Sequence, residues 1–330
     1  MHSKTTSSIL LGVLISSNLA CLDLDGFVHN PRHCSKVGLD SCEEKEEYWD
    51  KICVPCDEPY DFGQDYNWFD ETFIAGETIR ALPNSDVQNF KIKTKDGEGE
   101  LDAYFIKGHG DNPKTVNTTL VFNHGNFGGI EHYIPRIRYM YEGGYNIFVW
   151  DYRGYGKSLP DKAPTPAQWV EDSVLIRDWV ETATVIPDKN KLVIYSNSLG
   201  ANPSLDMVNY KAGCALIQEA AFVSLSSIAR TDGRVSLPEN FLSKAYYNNA
   251  EEIKNYTGPL FVMIGTKDVR YSAEETRALY DNCPSNAKEY WELDGVHHGI
   301  SDIGIPESGL FRYLKRMEQF LEQNAPACLN

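Results

Sequence analysis

Five short runs of the chain carry almost no polar residue: Thr119–Phe122, Tyr145–Trp150, Lys191–Tyr195, Ala215–Gln218 and Pro259–Ile264. A strand with one wet face alternates apolar and polar side chains. Near-continuous apolar runs belong to strands covered on both faces, as in a parallel sheet. Parallel neighbours cannot be joined by tight turns, so each pair needs a crossover, usually a helix. The segments between the runs provide for this. Thr165-Pro166 reads as an N-cap followed by an N1 proline, with Trp169, Ile176 and Val180 recurring on one face. Near the far end, Leu310, Leu314, Met317 and Leu321 keep helical spacing. Val87–Thr94 alternates, Lys95-Asp96-Gly97 turns, and Leu101–Ile106 answers as a second strand. Glu289–Glu292 is the last strand signal. A hairpin followed by repeated β–α units predicts an α/β protein with a doubly wound, mostly parallel sheet of about eight strands.

In such a sheet the reactive groups belong at the carboxyl ends of the strands. Five of those ends hold chemistry-bearing residues. They are Asn123-His124-Gly125-Asn126, Asp151-Tyr152-Arg153-Gly154-Tyr155-Gly156, Ser196-Asn197-Ser198-Leu199-Gly200, Gly265-Thr266-Lys267-Asp268 and Gly295-Val296-His297-His298. Ser, Asp and His therefore follow one another in the chain order known for one group of nucleophilic hydrolases.

Taken together, these blocks resemble the α/β-hydrolase superfamily over about residues 119–300, and within it the minimally capped serine esterases and acyl-protein thioesterases. The family shows an H-G-N block, a D-[YF]-R-G-[YF]-G block, a G-x-S-x-G nucleophile elbow, G-x-x-D and G-x-x-H. All five occur here in order, and only the elbow departs, with Ser196 in place of its first glycine. The resemblance implies the α/β-hydrolase fold, with Ser198 as nucleophile, His298 as its base, and Asp268 orienting the imidazole. The backbone N–H groups of Leu199 and Asn126 would form the oxyanion hole. His297 is the neighbouring candidate for the base. Moving the register to make Ser196 the nucleophile would put Ile194 and Ser198 at the glycine positions, a worse fit. Read singly, Ser198 is equally a helix N-cap, Asp268 a solvated loop residue and His298 a surface histidine. His124, Gly125, Asp151 and Arg153 are expected to brace the loops around the elbow.

The expected chemistry is hydrolysis of carboxylic esters or thioesters through an acyl-serine, with a small-molecule or acylated substrate and no cofactor or metal. A peptidase or amidase on the same fold, and a non-catalytic binding protein on this scaffold, are the alternatives. Only residues 221–257 leave room for a lid, so the cleft is expected to be open. Phe127, Tyr133, Tyr155, Phe222 and Tyr271 are placed near it as candidates for contact with an apolar acyl chain.

The formal charge of −16 speaks against nucleic acid and against capture by anionic lipid. Lys4, the apolar run Ser8–Ile15 and the small polar stretch Ser16–Ala20 lay out residues 1–20 as a secretory signal peptide. Cys21 directly after Ala20 resembles a lipid-modified cysteine, a possible membrane tether, although Leu19 stands one place later than that pattern asks. Of eight cysteines, Cys34, Cys42, Cys53 and Cys56 cluster in an acidic extension, 21–65, ahead of the hydrolase-like domain 66–330. They read as two local disulfides in an oxidising compartment, secreted, periplasmic or at the cell surface, with a four-cysteine zinc site as the competing reading. A further reading has residues 21–65 bind a partner or cover the cleft while the hydrolase-like domain works, with the protein partner unknown.

Overall fold

The first hairpin and the later crossovers form where the apolar patterns put them. The computed structural model describes residues 33–34, 56–63, 80–126, 128–224, 247–298 and 310–330, the side chains of 310–312 excepted. Strands β1 (Val87–Lys93) and β2 (Glu100–Ile106) pair antiparallel. Gly97 turns the chain between them at φ +74°, a conformation open to glycine. There follow β3 (Thr119–Asn123), α1 (Ile134–Glu142), β4 (Asn146–Trp150), α2 (Pro166–Thr182), β5 (Leu192–Asn197), α3 (Ala201–Tyr210) and β6 (Ala215–Glu219). The one-turn α4 (Asn249–Glu252), β7 (Leu260–Gly265), α5 (Ala273–Asn282), β8 (Lys288–Leu293) and α6 (Leu310–Asn324) follow among the described residues.

The strands make one eight-stranded sheet in the order β1-β2-β4-β3-β5-β6-β7-β8. β2 pairs antiparallel with β1 and β4, and every later pairing is parallel. From β3 the chain steps outward to β4 and then returns to β5 on the other side. The carboxyl ends of β3 and β5 therefore lie side by side at the point where the winding reverses, which is where such sheets open a crevice.

Every residue of β3, β4, β5, β6 and β7 is buried, which is what their unbroken apolar character predicts. β8 lies at the edge and is largely half-buried. Thr165 caps α2 reciprocally with Gln168, and Trp169, Ile176 and Val180 pack into the core on one face of the sheet. On the other face, α6 buries Leu314, Met317 and Leu321. Each such side chain contributes about 1.5–3 kcal/mol of transfer free energy.

Two disulfides are present among the described residues, Cys34–Cys56 and Cys214–Cys328, and Cys283 is free and buried. The first joins two members of the N-terminal cluster. It takes both thiols away from the zinc alternative, while Cys42 and Cys53 lie outside the described residues. The second is unforeseen, because its partners stand 114 residues apart. It fastens the turn after α6 to the start of β6, and a loop of that length is worth about 4–5 kcal/mol on the chain-entropy account.

The proposed signal segment 1–20 and Cys21 lie outside the described residues. The described parts of the 21–65 extension pack on the main body. The Cys34 N–H donates to Gly156 O at 2.9 Å, and Tyr60 and Phe62 are buried against Tyr104. Among the described residues, no helix is long and apolar enough to cross a membrane.

Candidate active site

β5 runs into Ser198, which adopts φ +53°, and then into a single 3₁₀ turn, Ser198–Gly200, that opens α3. A left-handed serine costs about 1–2 kcal/mol and is held only where its surroundings leave no alternative. Gly200 is a large part of that constraint. A Cβ there would lie 2.0 Å from Asn123 O and 2.8 Å from His124 O, so only glycine lets the turn sit on the end of β3. Ser196, at the departing position, is fully buried, and its hydroxyl donates to Ile217 O across to β6 at 3.4 Å. The hydroxymethyl group finds both room and a partner.

Three of the residues singled out by the motifs converge. Ser198 Oγ lies 3.1 Å from His298 Nε2, and His298 Nδ1 lies 2.8 Å from Asp268 Oδ2. The Asp268 carboxylate is fully buried, and its other oxygen accepts the N–H groups of Arg270 at 2.8 Å and Tyr271 at 3.0 Å. An acceptor-only group facing Nδ1 places the imidazole proton there, which leaves Nε2 to accept from the Ser198 hydroxyl. The loop after β8 reaches this position because Gly265 yields to it: a Cβ at Gly265 would fall 2.1 Å from Val296 O. His297, one residue earlier, is exposed.

The loop after β3 closes the other side. A Cβ on Gly125 would sit 2.7 Å from Tyr133 Oη and 3.3 Å from Ser198 Cβ, so the missing side chain is what brings this backbone against the serine. Asn126 follows, its side-chain oxygen accepting from the Tyr155 hydroxyl. Leu199 lies in the 3₁₀ turn at the start of α3. His124 is buried and stacked on Tyr152 at 4.2 Å, with Nδ1 2.8 Å from Gly125 O and Nε2 3.4 Å from Asp151 Oδ1. Asp151 in turn accepts from the Ile130 N–H at 2.9 Å and the Tyr60 hydroxyl at 3.0 Å.

Some expectations need correcting. Arg153 does not reach the elbow. Its guanidinium takes Asp172 of α2 at 2.7 and 2.9 Å and Asp96 of the β1–β2 turn at 2.6 Å, which ties the hairpin to the helix. Tyr133 and Tyr155 are buried in support of the H-G-N loop, and Phe127 lies outside the described residues. Phe222 donates its N–H to Ser198 O at 3.0 Å. The one group of three potential metal ligands among the described residues is His33, Cys34 and Cys56, and the disulfide occupies two of its donors.

Asp206, on the helix that follows the elbow, has one carboxylate oxygen buried without a hydrogen-bond partner. Burial, helped by Glu252, pushes its carboxyl up to about 7. The folded chain then keeps a proton that the unfolded chain releases near pH 4, so this group's contribution is full below that pH and is lost as pH rises to about 7. A shift of about three units corresponds to about 4 kcal/mol, and the partial exposure of Asp206 reduces this to about 1–2 kcal/mol. Asp206→Asn is expected to raise the urea-unfolding free energy by that amount at pH 8 and to change it little near pH 4.

Sequence and structural comparisons agree with this architecture. The profile of a family described as "Serine aminopeptidase, S33" matches residues 114–250, a span that holds Asn126, Ser198 and Leu199 and stops before Asp268 and His298. The uncharacterized protein YfhR of Salmonella typhimurium is 26% identical over 227 residues, covering 64% of this chain and 75% of that one. Human alpha/beta hydrolase domain-containing protein 17B is 27% identical over 212 residues, covering 62% of this chain and 66% of its own. The esterase Pf2001 of Pyrococcus furiosus superposes with a TM-score of 0.59 at 19% identity, covering 72% of this chain and 91% of the esterase. With this sheet order and the elbow after its central strand, the chain has the α/β-hydrolase fold and is similar to members of that superfamily.

Proposed function

We propose that the chain cleaves carboxylic esters or thioesters through an acyl-Ser198 intermediate. The observation that carries this is the continuous hydrogen-bonded line from Ser198 Oγ through the His298 ring to Asp268, at 3.1 and 2.8 Å. A serine hydroxyl is a weak nucleophile until a base takes its proton as the new bond forms. His298 Nε2 is within hydrogen-bonding reach to do so, and the buried Asp268 carboxylate stabilises the imidazolium that results. The carbonyl oxygen, gaining charge as Oγ adds, would face the N–H groups of Leu199 and Asn126. Nε2–H then protonates the leaving group, and water repeats the sequence to free the acid.

A peptidase or amidase reading draws on the serine-aminopeptidase description of the matching family, and the esterase reading on the fold shared with Pf2001. Relative kcat/KM on p-nitrophenyl esters, acyl thioesters and aminoacyl anilides separates them. Export to an oxidising compartment is part of the proposal, supported by the two disulfides and the signal-like residues 1–20. Lipid attachment at Cys21 would show as added mass on that residue in the mature protein.

Fluorophosphonate labelling tests the nucleophile. Wild type and Ser196→Ala are expected to take the label and Ser198→Ala to lose it. An unlabelled wild type, or loss confined to Ser196→Ala, overturns the assignment.

A further inference from the structure

Tyr60 belongs to the cysteine-rich extension, yet it is buried, at 3% exposure, beside Asp151. Its hydroxyl donates to Asp151 Oδ2 at 3.0 Å. The other oxygen, Asp151 Oδ1, accepts the Ile130 N–H at 2.9 Å and lies 3.4 Å from His124 Nε2. These two contacts fall on either side of Asn126, the proposed oxyanion donor. The loop so held carries Gly125 against the nucleophile, where a Cβ would come 3.3 Å from Ser198 Cβ. Burial and the nearby Asp151 push the Tyr60 phenol well above its ordinary range, so the group keeps its proton and donates. Gly156 leaves the space for this pairing: a Cβ there would lie 2.0 Å from Asp151 Oδ2 and 2.6 Å from Tyr60 Oη. The extension grips the same residue a second time, through the Cys34 N–H on Gly156 O at 2.9 Å. The Cys34–Cys56 disulfide ties that grip to the segment that carries Tyr60. Lys157 joins in, its Nζ donating to Glu58 O and standing 4.1 Å from the centre of the Tyr60 ring.

We propose that Tyr60 is a positioning residue for the hydrolase reaction, acting through Asp151 to hold the loop that presents the Asn126 N–H, so that the cysteine-rich extension completes the site. The inference rests on the acyl-serine reading above. On Asp151 Oδ2 the Lys157 N–H, at 3.3 Å, is a long donor, so Tyr60 supplies the short one. Without it a buried carboxylate oxygen is left poorly satisfied, which is costly for a charged group. The carboxylate then turns toward other donors, and Oδ1 leaves the Ile130 N–H as it does. Oxyanion donors must stand within a narrow range of distance, and full loss of one costs about 100–1,000-fold in kcat. A loop that is displaced rather than lost forfeits part of that. The substrate carbonyl needs these donors less than the tetrahedral intermediate does, so the loss falls on kcat and not on KM.

Tyr60→Phe removes the hydroxyl and leaves the ring in contact with Tyr104 and Lys157. With a p-nitrophenyl ester, kcat is expected to fall about tenfold and KM to stay within about twofold of wild type. The inhibition constant of a trifluoromethyl ketone, whose adduct with Ser198 carries the oxyanion, is expected to rise about tenfold. A substitution that merely unfolds part of the sample lowers kcat and leaves that constant unchanged, because the constant is a property of the intact sites. Asn84→Ala is the control. It removes the acceptor of the Phe62 N–H and the partner of Asp61, loosening the same segment without touching Asp151. Its inhibition constant is expected to stay within about twofold of wild type. An unchanged inhibition constant in Tyr60→Phe, or an equal rise in Asn84→Ala, would overturn the role of Tyr60. A wild type that takes no fluorophosphonate label would instead overturn the acyl-serine reading itself.

Discussion

His298→Ala is expected to lower kcat for ester hydrolysis by about four to six orders of magnitude, whereas His297→Ala should change kcat/KM by less than about tenfold. The two histidines are adjacent, and sequence alone ranks them only by their offset from Gly295. Geometry separates them further. The His298 ring is held from two sides, by the Asp268 carboxylate at Nδ1 and by the Tyr271 ring edge-on, and its free nitrogen faces Ser198 Oγ at 3.1 Å. His297 is exposed. Removing the His298 ring takes away the nitrogen that would receive the serine proton as the new bond forms. Steady-state kinetics on a p-nitrophenyl ester decides the matter, with fluorophosphonate labelling of each variant as the control. The larger loss in His297→Ala would reverse the assignment.

The sheet is legible in the sequence because burial on both faces leaves a mark that few other arrangements leave. Each of the five apolar runs is a strand, displaced by a residue or two at its ends. The displacement has a physical origin. β5 continues past Tyr195 through Ser196 and Asn197, and β6 opposite continues to Glu219, because their parallel pairing persists where apolar character stops. These polar ends border the crevice, so chemistry there erodes the very pattern that announces a strand. The candidate site is legible for a different reason. Five blocks in fixed order constrain one another, although each alone has a commonplace reading.

What stays hidden depends on distance. Arg153 pairs with Asp96 and Asp172, residues on a hairpin turn and a helix face that no local pattern joins. Cys214 and Cys328 give no sign of pairing, since nothing near either names the other. Tyr271 reads as one aromatic among several, and it meets His298 edge-on because the turn after Asp268 brings it back over that carboxylate. Its proximity to Asp268, at a spacing of three residues, was the available signal.

Gly200→Ala should be the most damaging small substitution in the elbow, and Ser196→Gly among the mildest. At position 200 a methyl group would lie 2.0 Å from Asn123 O and 2.6 Å from Asn123 C, both backbone atoms at the end of a fully buried strand. No rotamer relieves this, so either α3 or the β3 end must move. Overpacking of this kind costs about 3 kcal/mol or more. Either displacement also shifts Ser198 relative to the Asn126 backbone, so fluorophosphonate labelling is expected to fall at least about 100-fold even where the chain still folds. At position 196 the opposite holds. The serine hydroxyl makes one long hydrogen bond, 3.4 Å to Ile217 O, so its removal and the added backbone freedom together cost about 1 kcal/mol. Urea unfolding and labelling rates of the two variants, measured side by side, test this directly. The family pattern treats its two glycines alike, but in this chain the close backbone approach falls on the helix side of the serine. A Gly200→Ala variant that kept wild-type stability and labelling would show that the approach is looser than these distances allow.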